Sequence, residues 1–162
     1  MSRISAKRLT KELLESQASF VQLKTNGPPT GCELIEANDL TCWTFSLKLL
    51  GESVYQGEQF MLRFKFSTSY PIDSPEVTFV VDPAKGFKSP VHPHVYSNGH
   101  ICASVLGSGW SPVLNVSALL LTFQSMLASC KEKKLPPDND RYVRSAPSSA
   151  KQTRFVYHDD DV

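Results

Sequence analysis

Phe60-Met61-Leu62-Arg63-Phe64-Lys65-Phe66 puts four large apolar side chains on one face of an extended chain, with Met61, Arg63 and Lys65 on the other. A period of two over that length reads as a half-buried β-strand. Before it, Trp43, Phe45, Leu47 and Leu49 alternate with Cys42, Thr44, Ser46 and Lys48; after it, Val77, Phe79 and Val81 alternate with Thr78 and Val80. Residues 51–57 and the stretch Tyr70-Pro71-Ile72-Asp73-Ser74-Pro75 separate these runs with turn chemistry, and residues 32–37 supply a further strand. The pattern predicts a four-stranded antiparallel meander with one face on a core.

Helical spacing lies outside this block. Residues 4–17 read as an amphipathic helix with Leu9, Leu13 and Leu14 as its apolar edge and Lys7, Arg8 and Lys11 on its polar faces. Gly27-Pro28-Pro29-Thr30-Gly31 then breaks the chain. Val116, Leu119, Leu120, Phe123 and Leu127 mark a long central helix, with Asn115 placed to cap it. Pro136-Pro137 ends that unit, Asp138 is placed to cap a short helix over 138–146, and 148–157 is expected to form another. Between meander and central helix, residues 82–112 have no period, and so long an aperiodic segment inside a domain marks a functional region. The expected class is α+β: N-terminal helix, meander, irregular segment, helices.

Composition narrows the function class without naming it. A chain of 162 residues, 41% hydrophobic and 20% charged, is expected to be one globular domain that buries its core without staples. No apolar run reaches the roughly 20 residues of a membrane span, and the start Met1-Ser2-Arg3-Ile4 lacks a secretory signal's apolar centre. An intracellular location is expected, in the cytoplasm or nucleus, and a membrane partner is not. With 17 basic against 16 acidic side chains, nucleic acid is not the expected partner either. Cys32, Cys42, Cys102 and Cys130 are irregularly spaced and read as free thiols.

The aperiodic segment holds His92-Pro93-His94-Val95-Tyr96-Ser97-Asn98-Gly99-His100-Ile101-Cys102. Its residues permit three readings. His92, His94, His100 and Cys102 are all legitimate zinc ligands, although His-x-His followed by His-x-Cys matches no usual zinc spacing. Cys102, following a glycine and outside any regular element, can be an exposed nucleophile with His94 or His100 as a base. The plain alternative is a small core cysteine among turn histidines.

An ordered set of short motifs reaches further than any of these. Tyr55-Gln56-Gly57, Tyr70-Pro71, Ser74-Pro75, His92-Pro93-x-Val95-Tyr96-Ser97-Asn98-Gly99-x-Ile101-Cys102 and Trp110-Ser111-Pro112 occur in that order. The chain thereby resembles the ubiquitin-conjugating enzymes over about residues 4–157, leaving a short acidic tail, 158–162, within a single catalytic domain spanning 1–162. Three departures resemble the W-type branch of the family: His94 where Asn is usual, Ser129-Cys130-Lys131-Glu132-Lys133 running to Pro136-Pro137-Asp138-Asn139, and the ending Tyr157-His158-Asp159-Asp160.

The resemblance implies an enzyme with no bound cofactor and no metal, the ATP being consumed by an activating enzyme upstream. Cys102 would take the ubiquitin C-terminus as a thioester and pass it to an amine or to a ligase cysteine. His94 would serve as oxyanion donor or loop buttress, Tyr96 would line the amine channel, and Asp138 would help activate the incoming amine. Ala103 and Ser104 follow Cys102 where relatives often carry an acid two positions on. Lys7, Arg8 and Lys11 would face the activating enzyme, and Ile72, Ser111, Pro112 and Val113 a RING or U-box ligase. The W-type resemblance implies transfer to N-terminal α-amines of substrates with flexible N-termini. An α-amine ordinarily titrates at about 7.7–8.0, against about 10.4 for lysine, and so needs less activation at neutral pH. The rival reading is a catalytically silent ubiquitin-handling adaptor of the same fold; retention of Cys102 and Trp110-Ser111-Pro112 argues against it.

Overall fold

In the computed structural model, which describes residues 1–17 and 27–155, the alternating runs pair as the pattern predicts. Strands β1 (Cys32–Asp39), β2 (Cys42–Lys48), β3 (Gln59–Lys65) and β4 (Glu76–Phe79) form an antiparallel meander in the order β1-β2-β3-β4. Register sets Trp43 opposite Phe64, Phe45 opposite Leu62 and Leu47 opposite Phe60, and β4 continues the row with Val77 opposite Phe64 and Phe79 opposite Leu62. All eight are buried, because a period of two matched across three strands sends these side chains to one face. β1 is the weak edge: two register shifts interrupt its pairing with β2.

Helix α2 (Val116–Ser129) closes that face, with Val116, Leu119, Leu120, Phe123 and Leu127 in the same apolar cluster as the sheet residues. Asn115 caps it as expected, its side chain accepting the Ala118 amide at 2.8 Å. A second capping group comes from α1 (Arg3–Gln17): Glu12 accepts the Val116 amide at 2.8 Å.

Helix α1 differs from expectation on its buried face. Leu9 is buried and Leu13 packs partly against the core, but Leu14 is exposed. Five residues past Leu9 is about 140° around a helix, so Leu14 belongs to the other side. The positions that do go inside are Ser5, Leu9, Glu12 and Ser16, three of them polar. Each polar one is hydrogen-bonded, Ser5 to the Thr68 carbonyl, Glu12 to the Val116 amide and Ser16 to the Glu12 carbonyl.

The C-terminal part also departs from expectation. Helix α3 (Asn139–Ser145) forms, but Asp138 makes no capping bond because its carboxylate is engaged by Tyr96. No helix spans 148–155; that stretch holds only a 3₁₀ turn at Ala150–Gln152. Tertiary contacts override the local pattern there. The Ser149 hydroxyl meets Glu76, and the Lys151 ammonium meets the Ser74 hydroxyl and its carbonyl, the latter at 3.1 Å. The segment is thus strapped along β4. Residues 156 and 157 of the expected helix and the acidic tail 158–162 lie outside the described residues. Among the described residues no helix is long and apolar enough to cross a membrane.

Candidate active site

The aperiodic segment is a narrow tongue held by isolated bridges, His92 to Val95 and Val95 to Ile101. Val95 and Ile101 are buried and anchor it in the core. The Tyr96 amide donates to the His100 carbonyl at 2.9 Å, and the Cys102 amide to the His94 carbonyl at 2.8 Å. Gly99 closes the turn at φ 92°, where its own carbonyl accepts the Phe79 amide at 2.9 Å. A Cβ at that position would lie 2.0 Å from the Phe79 carbonyl oxygen, so both the backbone angle and the close approach to β4 require glycine. This tongue sets Cys102, half-buried, at the edge of the core.

Cys102 opens into a groove of about 650 Å³ that also takes in His94, Tyr96, Asp138, Tyr142 and Phe155. The four positions singled out from sequence, His94, Tyr96, Cys102 and Asp138, therefore share one site. The Tyr96 hydroxyl donates to the Asp138 carboxylate, 3.2 Å from each oxygen. Burial first, and the Asp138 charge second, push the Tyr96 pKa up, so the phenol stays a neutral donor. Its ring stacks on Tyr142 at 3.9 Å and lies 6.1 Å from Phe155. The Tyr142 hydroxyl bridges His100 Nδ1 at 2.7 Å and Thr153 at 3.0 Å, while Asn139 takes the Ser97 amide at 2.9 Å. Helix α3 is thereby tied to the tongue.

Tyr142, Asn139 and Phe155 were not singled out from the sequence. Tyr142 had a usable signal: it falls one helical turn after Asp138, on the same face. Phe155 had none, since its place depends on the strap.

The three histidines of the tongue have separate environments. His92 is 0% exposed; its Nδ1 accepts the His94 amide at 2.9 Å and its Nε2 has no hydrogen-bond partner. Burial, and then the charge of His94, lower its pKa to about 4, against a smaller opposing pull from the Met126 backbone, so the ring is a neutral structural one. His100 is turned to Tyr142. His94 is buried at the groove beside Cys102, its ring edge-on to His92 with centroids 5.6 Å apart. Among the described residues no three His, Cys, Asp or Glu side chains converge as a metal site.

The outlying candidates fall on two surfaces. Lys7 and Lys11 are exposed on α1 beside Leu14. Arg8 is not free to join them: it pairs with Glu12 at 2.9 Å and donates to the carbonyls of Pro112 at 3.0 Å and Leu114 at 2.7 Å. Ile72 and Val113 project from two neighbouring loops, 72% and 85% exposed. Those loops, which include Ser111 and Pro112, are joined where the Trp110 indole donates to the Pro71 carbonyl at 2.9 Å. Of the other cysteines, only Cys130 is a core residue. Cys32, on the edge strand β1, and Cys42, on β2 next to the core-facing Trp43 and so on the opposite face of the sheet, are half-buried. Burial nonetheless pushes the Cys32 thiol up to about 12.

This geometry has counterparts among known proteins. Residues 8–156 match the family model described as ubiquitin-conjugating enzyme. The "Probable ubiquitin-conjugating enzyme E2 W-A" of Danio rerio is 48% identical over 157 residues, covering 95% of each chain. Ubiquitin-conjugating enzyme E2 W of Caenorhabditis elegans is 43% identical over 164 residues and covers 100% of both. The crystal structure of ubiquitin conjugating enzyme E2 UbcA1 from Agrocybe aegerita superposes with a TM-score of 0.82 at 54% identity, covering 92% of this chain and 99% of that one.

Proposed function

The chain belongs to the ubiquitin-conjugating enzymes, and from that premise we propose that Cys102 carries ubiquitin as a thioester and delivers it to N-terminal α-amines. The observation that carries this reading is the half-buried Cys102 in one groove with an anchored carboxylate, Asp138. The Cys102 thiolate attacks the thioester carbonyl presented by the activating enzyme, which has used ATP to make it, and releases that enzyme's thiol. An acceptor amine then attacks the Cys102 thioester. A C–N bond forms, the C–S bond breaks, and the proton lost by nitrogen balances the leaving thiolate.

Each neighbour has a defined part. The Cys102 amide is committed to the His94 carbonyl, so it does not serve the oxyanion. The His94 ring, which lines the same groove as Cys102, is the oxyanion donor in this reading. Asp138, oriented by Tyr96, draws the acceptor ammonium toward the thioester. Near neutral pH an α-amine is free base a few hundred times more often than a lysine, so one carboxylate is enough. A RING or U-box ligase docks on Ile72, Ser111, Pro112 and Val113, and the activating enzyme on the α1 face of Lys7 and Lys11, with Arg8 joining helix to loop.

The test is direct. Incubation with activating enzyme, ATP and ubiquitin gives a thiol-sensitive adduct, absent in Cys102→Ala. The charged enzyme discharges faster to a lysine-free peptide with a free N-terminus than to Nα-acetyl-lysine, whose only amine is the ε-amine. No adduct refutes the role of Cys102; equal discharge to both amines refutes the α-amine preference.

A further inference from the structure

The groove around Cys102 carries an uneven distribution of charge. Among its described lining residues Asp138 is the single acid, while Lys134 and Arg154 are cations contributed by separate stretches, the loop before α3 and the strap after the 3₁₀ turn. Both are exposed. Among the described residues Lys134 pairs with one acid, Glu132 at 3.5 Å, and the two side chains are 63% and 74% exposed. Such a pair is worth at most about 1 kcal/mol, so an incoming anion competes with it readily. Arg141, 3.9 Å from Asp138 and 84% exposed, adds a further cation on the α3 side. Lys133, by contrast, is committed to Glu58 and lies over the Tyr55 ring.

We propose that the Cys102 groove selects acceptor chains with carboxylates a few residues after a free N-terminus. The inference rests on the α-amine reading above and adds the substrate class. Asp138 attracts the terminal ammonium and brings it to the thioester. The side chains that follow then lie along a groove flanked by Lys134 and Arg154, where a carboxylate is favoured and a lysine or arginine is repelled. Asp138 and the two cations thus match an extended segment that is positive at its first atom and negative shortly beyond. A lysine acceptor within a basic segment fits neither requirement.

Full-length enzyme loaded with ubiquitin is mixed with three lysine-free peptides of equal length, each beginning with Ala and carrying Glu, Ser or Arg at positions 2–4. N-acetylated versions serve as controls, and discharge is measured per loaded thioester. The expected KM order is Glu below Ser below Arg, about 3- to 10-fold between the extremes at low salt, converging at about 0.5 M salt where the Debye length falls to about 4 Å. The charge-reversed K134E/R154E enzyme inverts the order, an outcome that loss of fold alone does not produce; the milder R154A narrows it. Equal KM for all three free-amine peptides, or an order that K134E/R154E leaves unchanged, overturns this inference and leaves the α-amine reading standing. Failure to discharge to any of them, with Nα-acetyl-lysine still accepted, overturns the α-amine reading itself.

Discussion

His92 and Cys102 bracket the same tongue and meet opposite surroundings. One is sealed in the core with a nitrogen lacking a partner; the other is half-buried at a groove. In the folded protein the His92 pKa falls from 6.5 to about 4, so above pH 6.5 both folded and unfolded chains hold the ring neutral. As pH drops through that window the unfolded chain takes up a proton that the folded one refuses, and stability declines. The expected loss is about 3 kcal/mol between pH 6.5 and 4, and the burial-lowered His100 adds to it in the same direction. Urea midpoints across that range should be flatter in His92→Gln than in the parent. An unchanged slope would falsify this account of His92. At this scale the sequence presented His92, His94, His100 and Cys102 as comparable ligands or bases. Which one is sealed, which is hydrogen-bonded to Tyr142 and which lines the groove with Cys102 depends on the direction each leaves the tongue.

At the scale of elements, α1, the Tyr70 loop and α2 meet at one buried carboxylate. Glu12 accepts the Tyr70 hydroxyl at 2.6 Å, the Arg8 guanidinium at 2.9 Å and the Val116 amide at 2.8 Å. The negative charge also sits at the N-terminus of α2, where the helix dipole favours it. Removing it strands a buried phenol, a helix-end amide and a half-buried guanidinium together. Glu12→Ala is therefore expected to cost about 3 kcal/mol in a denaturant titration, and Arg8→Ala about 1 kcal/mol, since Arg8 keeps access to water. Equal costs would show that the node is a surface ion pair. The helix itself was legible from its period, but its buried side was not. Hydropathy favours Leu14 over Glu12, and only the partners waiting in the Tyr70 loop and α2 reverse that choice. The helix expected over 148–157 gives way to the strap for the same kind of reason, the strap's contacts coming from Ser74 and Glu76, some seventy residues away in the chain.

Over the described residues large apolar side chains are exposed at several separate places, and two of the three most exposed, Ile72 and Val113, project from the two joined loops. The pair I72A/V113A removes no core contact, so its melting temperature should match the parent, within about 0.5 kcal/mol of stability. The ratio of discharge with a RING or U-box ligase to discharge without one should fall several-fold. An unchanged ratio places the ligase elsewhere. Three strands and the central helix with its Asn115 cap were determined by the sequence alone, because periods of two and of 3.6 are local properties that neighbouring elements merely satisfy. Family membership was legible for a related reason: the motifs are runs of adjacent residues that make a turn, such as Ser97-Asn98-Gly99, or a buried anchor. The groove was decided only by tertiary structure. Asp138, Tyr142, Lys134 and Phe155 reach Cys102 from segments whose local patterns say nothing of one another. Their meeting depends on where α3 and the strap are pinned against the sheet.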